Sequence, residues 1–126
     1  MTDPRFLRGL KLFNERDFFE CHEVIEELWL ETPSDDPYRD LYKGVIQAAA
    51  ALYQFKRGIL SGAIGLSATA VGYLERYRPS ALGLDIEKLI AGMRLFFKPL
   101  EKWDGAAAVP FDETAVPLLE FEHGPA

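Results

Sequence analysis

Phe18-Phe19-Glu20-Cys21-His22-Glu23-Val24-Ile25-Glu26-Glu27-Leu28-Trp29-Leu30-Glu31 is the stretch that decides how this chain reads. Wound at about 100° per residue, Leu28, Cys21, Ile25, Phe18 and Trp29 fill one arc, and His22 and Glu26 continue it. Phe19 and Leu30 close the arc on its far side, while Glu20, Glu23, Glu27 and Glu31 take the opposite face. The spacing predicts an amphipathic helix that turns four carboxylates to water and one toward the core beside a histidine. A carboxylate or an imidazole loses free energy on burial unless it is paired. His22 and Glu26 therefore read as a buried pair, serving either as a structural polar network or as a site.

Helical spacing extends outward in both directions, and no run alternates with period two. Asp3-Pro4 suits the cap and first turn of a helix reaching about Asn14, with Phe6, Leu10 and Phe13 on one side. Asp17 is a candidate cap for the second helix, with Glu20 in the capping-box position. After the loop Thr32 to Pro37, a third helix runs from about Tyr38 to Arg57. Its apolar stripe is Leu41, Val45, Ala48, Leu52 and Phe55, its polar side includes Arg39, Lys43, Gln47 and Gln54, and Gly58 suits its C-terminal end. A fourth helix spans about Ser61 to Arg78; its glycines, Gly62, Gly65 and Gly72, predict close backbone packing there, since each costs about 1 kcal/mol relative to alanine. Asp85 caps a fifth helix that Pro99 kinks or ends. Arg16 to His22 and Arg57 to Ala63 echo each other about 41 residues apart, with Ile25 matching Leu66. The echo suggests duplicated helical hairpins and misses the 34-residue period of tetratricopeptide repeats.

The expected fold is all-α, a single-domain bundle of about five helices built from two antiparallel hairpins plus a capping helix. Residues 1–104 form the bundle, and residues 105–126 form an extended tail packing on it, too apolar at Val116, Leu118, Leu119 and Phe121 to be disordered. The length suits one domain. A formal net charge of -6 argues against a nucleic-acid partner, which needs a basic face. No apolar run approaches a membrane span, and the N-terminus lacks the pattern of a signal peptide. One cysteine, Cys21, fits a reducing cytoplasm.

Three motifs occur in order: Phe19-Glu20-Cys21-His22-Glu23-Val24-Ile25-Glu26-Glu27-Leu28-Trp29, then Lys43-Gly44-Val45-Ile46-Gln47-Ala48-Ala49-Ala50-Ala51-Leu52, then Arg57-Gly58 with Gly62-Ala63. Over roughly residues 10 to 100 they resemble the bacterial and archaeal family called domain of unknown function 309, with its pattern Phe-x-Ala-His-Glu-x-x-Glu-x-x-Trp. The resemblance implies a compact helical bundle and no particular activity. Its marked polar residues fall on His22, Glu23, Glu26, Arg39 and Gln47, its aromatic on Trp29, and its small residues on Gly44, Gly58, Gly62 and Ala63. The chain departs from the pattern at Cys21, where alanine is usual, at Lys43, where glutamine is usual, and at Tyr53-Gln54, where histidine is often found.

His22, Glu23, Glu26, Trp29, Arg39 and Gln47 are thus the candidate binding residues. A metal site is not expected: zinc takes at least three protein ligands, and the other histidine, His123, lies in the tail. A di-iron bundle needs Glu-x-x-His on two helices, and residue 19 is Phe19. No cofactor motif or nucleophile signature is present. Two readings remain. In the first, the domain is a non-enzymatic binding module with a mainly structural His22/Glu26 network, partnered by Arg39 or Gln47, and a groove between the hairpins takes a small molecule or a protein segment. In the second it is a small acid/base, hydrolase-like enzyme using His22 with Glu26. A homodimer is compatible with the aromatic content of 13%.

Overall fold

The computed structural model describes residues 2–121. Five helices follow one another: α1 (Pro4–Asn14), α2 (Phe18–Glu31), α3 (Arg39–Lys56), α4 (Leu60–Leu74) and α5 (Ile86–Phe97). α1 packs on α2, α2 on α3, α3 on α4 and α4 on α5, so two hairpins stand side by side and α5 caps the second. The fold is all-α. The Asp3 carboxylate caps α1 by accepting from the Arg5 N–H at 2.8 Å, and Asp85 caps α5 by accepting from the Lys88 N–H at 2.9 Å. Asp17 precedes α2 but makes no side-chain cap bond, which corrects the capping box expected there.

The reason lies in the corner itself. Arg16 sits at φ 67; its N–H donates to the Phe13 carbonyl at 3.0 Å, and the Asp17 N–H donates to the Leu12 carbonyl at 2.9 Å. The α3/α4 corner repeats this. Gly58 is at φ 81, its N–H donates to the Phe55 carbonyl, and the Ile59 N–H donates to the Gln54 carbonyl, each at 2.9 Å. Both helices end in a left-handed residue that satisfies their last carbonyls. Arg16 therefore corresponds to Gly58, one position later than the sequence echo placed it, and Cys21, fully buried, corresponds to fully buried Ala63. Positive φ, where glycine carries no penalty, fixes the register; the shared arginines at 16 and 57 do not.

Close approach falls on Gly9 in α1, Gly44 in α3 and Gly92 in α5 rather than on the glycines of α4. A Cβ at Gly44 would meet Leu74 Cδ2 and Cγ at 2.9 Å, whereas Gly65 and Gly72 face open space. A feature without any sequence period follows α4: Ser80–Ala81 and Leu84–Asp85 form a two-residue antiparallel ladder (β1 and β2). It turns on Leu82 and Gly83, both at positive φ, as a tight hairpin requires. Phe6, Phe13, Phe18, Ile25, Leu41, Leu52, Leu74, Leu89 and Met93 form the centre of the core.

Among residues 105–121, Val116 and Leu119 are buried, and Phe111 packs edge-on against Phe55 and Phe96. The Asn14 amide grips the Leu119 backbone in both directions, donating to its carbonyl at 3.0 Å and accepting from its N–H at 2.7 Å. Arg16 donates to the carbonyls of Val116 and Pro117. His123 and the rest of 122–126 lie outside the described residues.

Candidate functional site

α2 and α3 are held in register by two aromatic anchors. At one end Lys43 Nζ lies 4.3 Å and Arg39 Cζ 4.2 Å from the centre of the Trp29 ring. At the other, the Phe19 and Tyr53 rings are 5.4 Å apart. Trp29 and Phe19 are ten residues apart on α2, as are Lys43 and Tyr53 on α3. The helices therefore run antiparallel, with Glu26 at the level of residue 46 and His22 at the level of Ala50. Gln47 sits one turn from Lys43 on the same stripe. Along one seam the chain thus sets Trp29 with its two cations, then Glu26 and Gln47, then His22, then the Phe19–Tyr53 pair.

The His22/Glu26 pair forms: His22 Nε2 lies 3.3 Å from Glu26 Oε2. It is not the buried, closed network the helical wheel suggested. The two side chains are 30% and 42% exposed, and Ser67 is the buried polar residue of the core among the described residues. The physical reason is position: His22 and Glu26 lie at the margin of the apolar arc of α2, where the core no longer covers them. Neither expected partner reaches the pair. The Arg39 Nε donates instead to the Thr32 carbonyl at 3.2 Å, and Gln47 makes no side-chain hydrogen bond within the described protein. Glu23 is exposed on the water face of α2 and belongs to no ion pair among the described residues.

The unbalanced groups lie elsewhere on the seam. Trp29 Nε1 and the Gln47 and Gln54 amide oxygens are buried with no hydrogen-bond partner among the described residues. Gln54 was not among the expected site residues; its signal was its place two turns beyond Gln47 on the same polar stripe. Tyr53 and Phe19 were likewise missed, although they face each other across the seam. Burial, followed by the charge of Asp17, pushes the Cys21 thiol up to about 12, so it stays protonated and is no thiolate nucleophile. Among the described residues no three His, Cys, Asp or Glu side chains group to hold a metal.

A separate cleft of about 460 Å³ opens between α4 and α5, lined by Ile64, Ser67, Val71, Phe97 and Leu100 with Arg94 and Glu101 at its edge. None of the candidate residues borders it.

Residues 6–66 match the family described as Domain of unknown function (DUF309). The DUF309 match spans α1 to the first half of α4, so it contains the whole Trp29–Phe19 seam and stops short of α5 and the tail. The chain is 38% identical over 88 residues to "Uncharacterized protein YpuF" of Bacillus subtilis (strain 168), covering 68% of this chain and 50% of that protein. It is 39% identical over 46 residues to an "Uncharacterized protein" of Aquifex aeolicus (strain VF5), covering 36% of this chain and 14% of that one. The chain thus spans half or less of the length of these relatives. No solved structure gives a significant match. Among the described residues no helix is long and apolar enough to cross a membrane.

Proposed function

We propose that this is a non-enzymatic binding domain whose ligand seat is the α2/α3 seam. One observation carries the reading: the Trp29 indole N–H and the Gln47 amide oxygen are buried without a partner, next to a half-open His22/Glu26 pair. A buried donor or acceptor left unsatisfied costs about 1–3 kcal/mol. A ligand offering an acceptor to the indole and a donor to the amide recovers that cost on binding. The site suits a small polar molecule or the end of a peptide. Nucleic acid is disfavoured by the net charge of -6, and the single buried cysteine suits a reducing cytoplasm.

The test is a thermal-shift screen of small polar metabolites against the full chain and its Gln47→Met variant. A ligand at about 100 times its Kd stabilises by about 2.7 kcal/mol. The expected result is a compound that raises the melting temperature of the parent and not of the variant. Hits that stabilise both proteins equally overturn the seam as the seat.

One observation favours a second reading, an acid/base enzyme. The His22/Glu26 pair meets solvent, as a general base oriented by a carboxylate must. Loss of a hydrolytic activity in His22→Ala at unchanged stability supports it.

A further inference from the structure

We infer that the seam takes a small ligand with an anionic group, a carboxylate or a phosphate, and a hydrogen-bond donor about one helical turn, or about 6 Å, away. The inference rests on the seam being the ligand seat and adds the chemistry of what fills it.

The anionic end follows from uncompensated charge. The chain carries a net charge of -6, and many of its cations reach a carboxylate: Arg5 to Glu31, Arg76 to Asp40, Arg78 to Glu87, Lys88 to Glu120 and Arg94 to Glu75. Arg39 and Lys43 reach none among the described residues. They lie instead over one ring, at 4.2 and 4.3 Å from the Trp29 centroid. A ring quadrupole attracts a cation without neutralising it, and like charges one turn apart on a helix repel. An anion beside Trp29 meets both cations, with charge-assisted bonds stronger than neutral ones. The Arg39 Nε is already committed to the Thr32 carbonyl, which anchors the guanidinium and leaves its terminal nitrogens for the ligand. The indole N–H, buried and unpartnered, is a further donor on the same residue that carries both cations.

The donor end follows from the next turn. The buried Gln47 oxygen can only accept, and Glu26, at nearly the same level, pairs with His22 and, among the described residues, with no lysine or arginine. An acceptor and a carboxylate together call for an N–H or an ammonium. Cations at one end and acceptors at the other give the seam a direction, and a ligand polarised the opposite way fits it.

The experiment is an NMR titration of the full chain, following the Trp29 indole N–H and the Gln47 side-chain amide. The indole signals are assigned with Trp103→Phe, since Trp103 donates to the Ala107 carbonyl outside the seam. The probes are propionate, γ-aminobutyrate, inorganic phosphate and propionamide at constant ionic strength. Propionate or phosphate is expected to move both signals saturably. γ-Aminobutyrate, whose ammonium can stand about one helical turn from its carboxylate, should bind more tightly than propionate, and neutral propionamide roughly tenfold or more weakly than propionate. Arg39→Met with Lys43→Met should weaken anion binding by roughly tenfold or more, while Lys102→Met, at an exposed position, leaves it unchanged. Phosphate binding ahead of propionate, or the reverse, supports the anion seat and names its kind. Propionamide binding as well as propionate, with the double variant unaffected, overturns the anionic ligand and leaves the seam a seat for neutral molecules. If no probe moves either signal, the seam as ligand seat falls with it.

Discussion

Replacing Gln47 by methionine should make the free protein more stable. The Gln47 oxygen is buried and unpartnered, and leaving such a group desolvated costs about 1–3 kcal/mol. Methionine keeps the length and flexibility of the side chain and nearly the same helix propensity, so the substitution removes the penalty with little repacking. Taking the lower part of the range, the gain is about 1–2 kcal/mol. For a domain of this size each kcal/mol moves the melting temperature by about 4 °C, which gives a rise of about 4–8 °C. Differential scanning calorimetry of the ligand-free chain at pH 7 reads it directly, and urea unfolding gives the same difference through the midpoint at constant m. A fall in melting temperature refutes the reasoning, because it means that the amide is held by polar partners and the seam is a structural network. A change within about 1 °C refutes it too, since the oxygen then carries no desolvation cost.

Glu26→Gln should shift stability by less than about 1 kcal/mol, the scale of an exposed ion pair, because both partners are partly open to solvent; a loss above about 2 kcal/mol in urea unfolding contradicts the open geometry. Asn14→Ala should cost about 1–2 kcal/mol through two lost bonds to Leu119 and should speed proteolysis within residues 105–121, whereas unchanged cleavage means that the Asn14 grip does not hold the tail. Gly65→Ala should stabilise by about 0.5–1 kcal/mol because its Cβ meets nothing, while Gly44→Ala should destabilise by about 1–3 kcal/mol because its Cβ meets Leu74 at 2.9 Å; chemical denaturation of the pair checks the contrast. The side-chain hydrogen bond from Arg5, then its backbone N–H, holds the Asp3 carboxyl below its ordinary value of 3.8. A depressed folded pKa gives a contribution that is full above the unfolded value and fades as pH falls through the lower, folded one. The stability gap between the parent and Asp3→Asn should therefore narrow as pH drops below about 4, and a gap that widens there contradicts this assignment.

The sequence by itself determined the helices and their apolar faces. Phe18, Cys21, Ile25 and Leu28 repeat at a spacing that only a helix gathers on one side, and Asp3 and Asp85 stand where helices need an acceptor for their first N–H groups. These are local matters, fixed by periodicity and by backbone groups within a few residues. The three motifs all lie within residues 6–66, the part of the chain that matches DUF309, while the resemblance read on to about residue 100 runs past that match. What only the tertiary structure decided is how the margins of those faces are treated. A helical wheel assigns His22 an angle, not a neighbour; only the packed helices show that the pair stays open, at 30% and 42% exposed. Gln47, on the polar stripe of α3 and read as a possible partner of His22 and Glu26, instead has a buried oxygen that meets no partner among the described residues. The corner echo was visible, but its register depended on a backbone angle at Arg16 that an arginine does not announce. The hairpin at Leu82-Gly83 and the Asn14 grip on Leu119 have no periodic signature, since each depends on contacts that the chain makes only after its helices have packed.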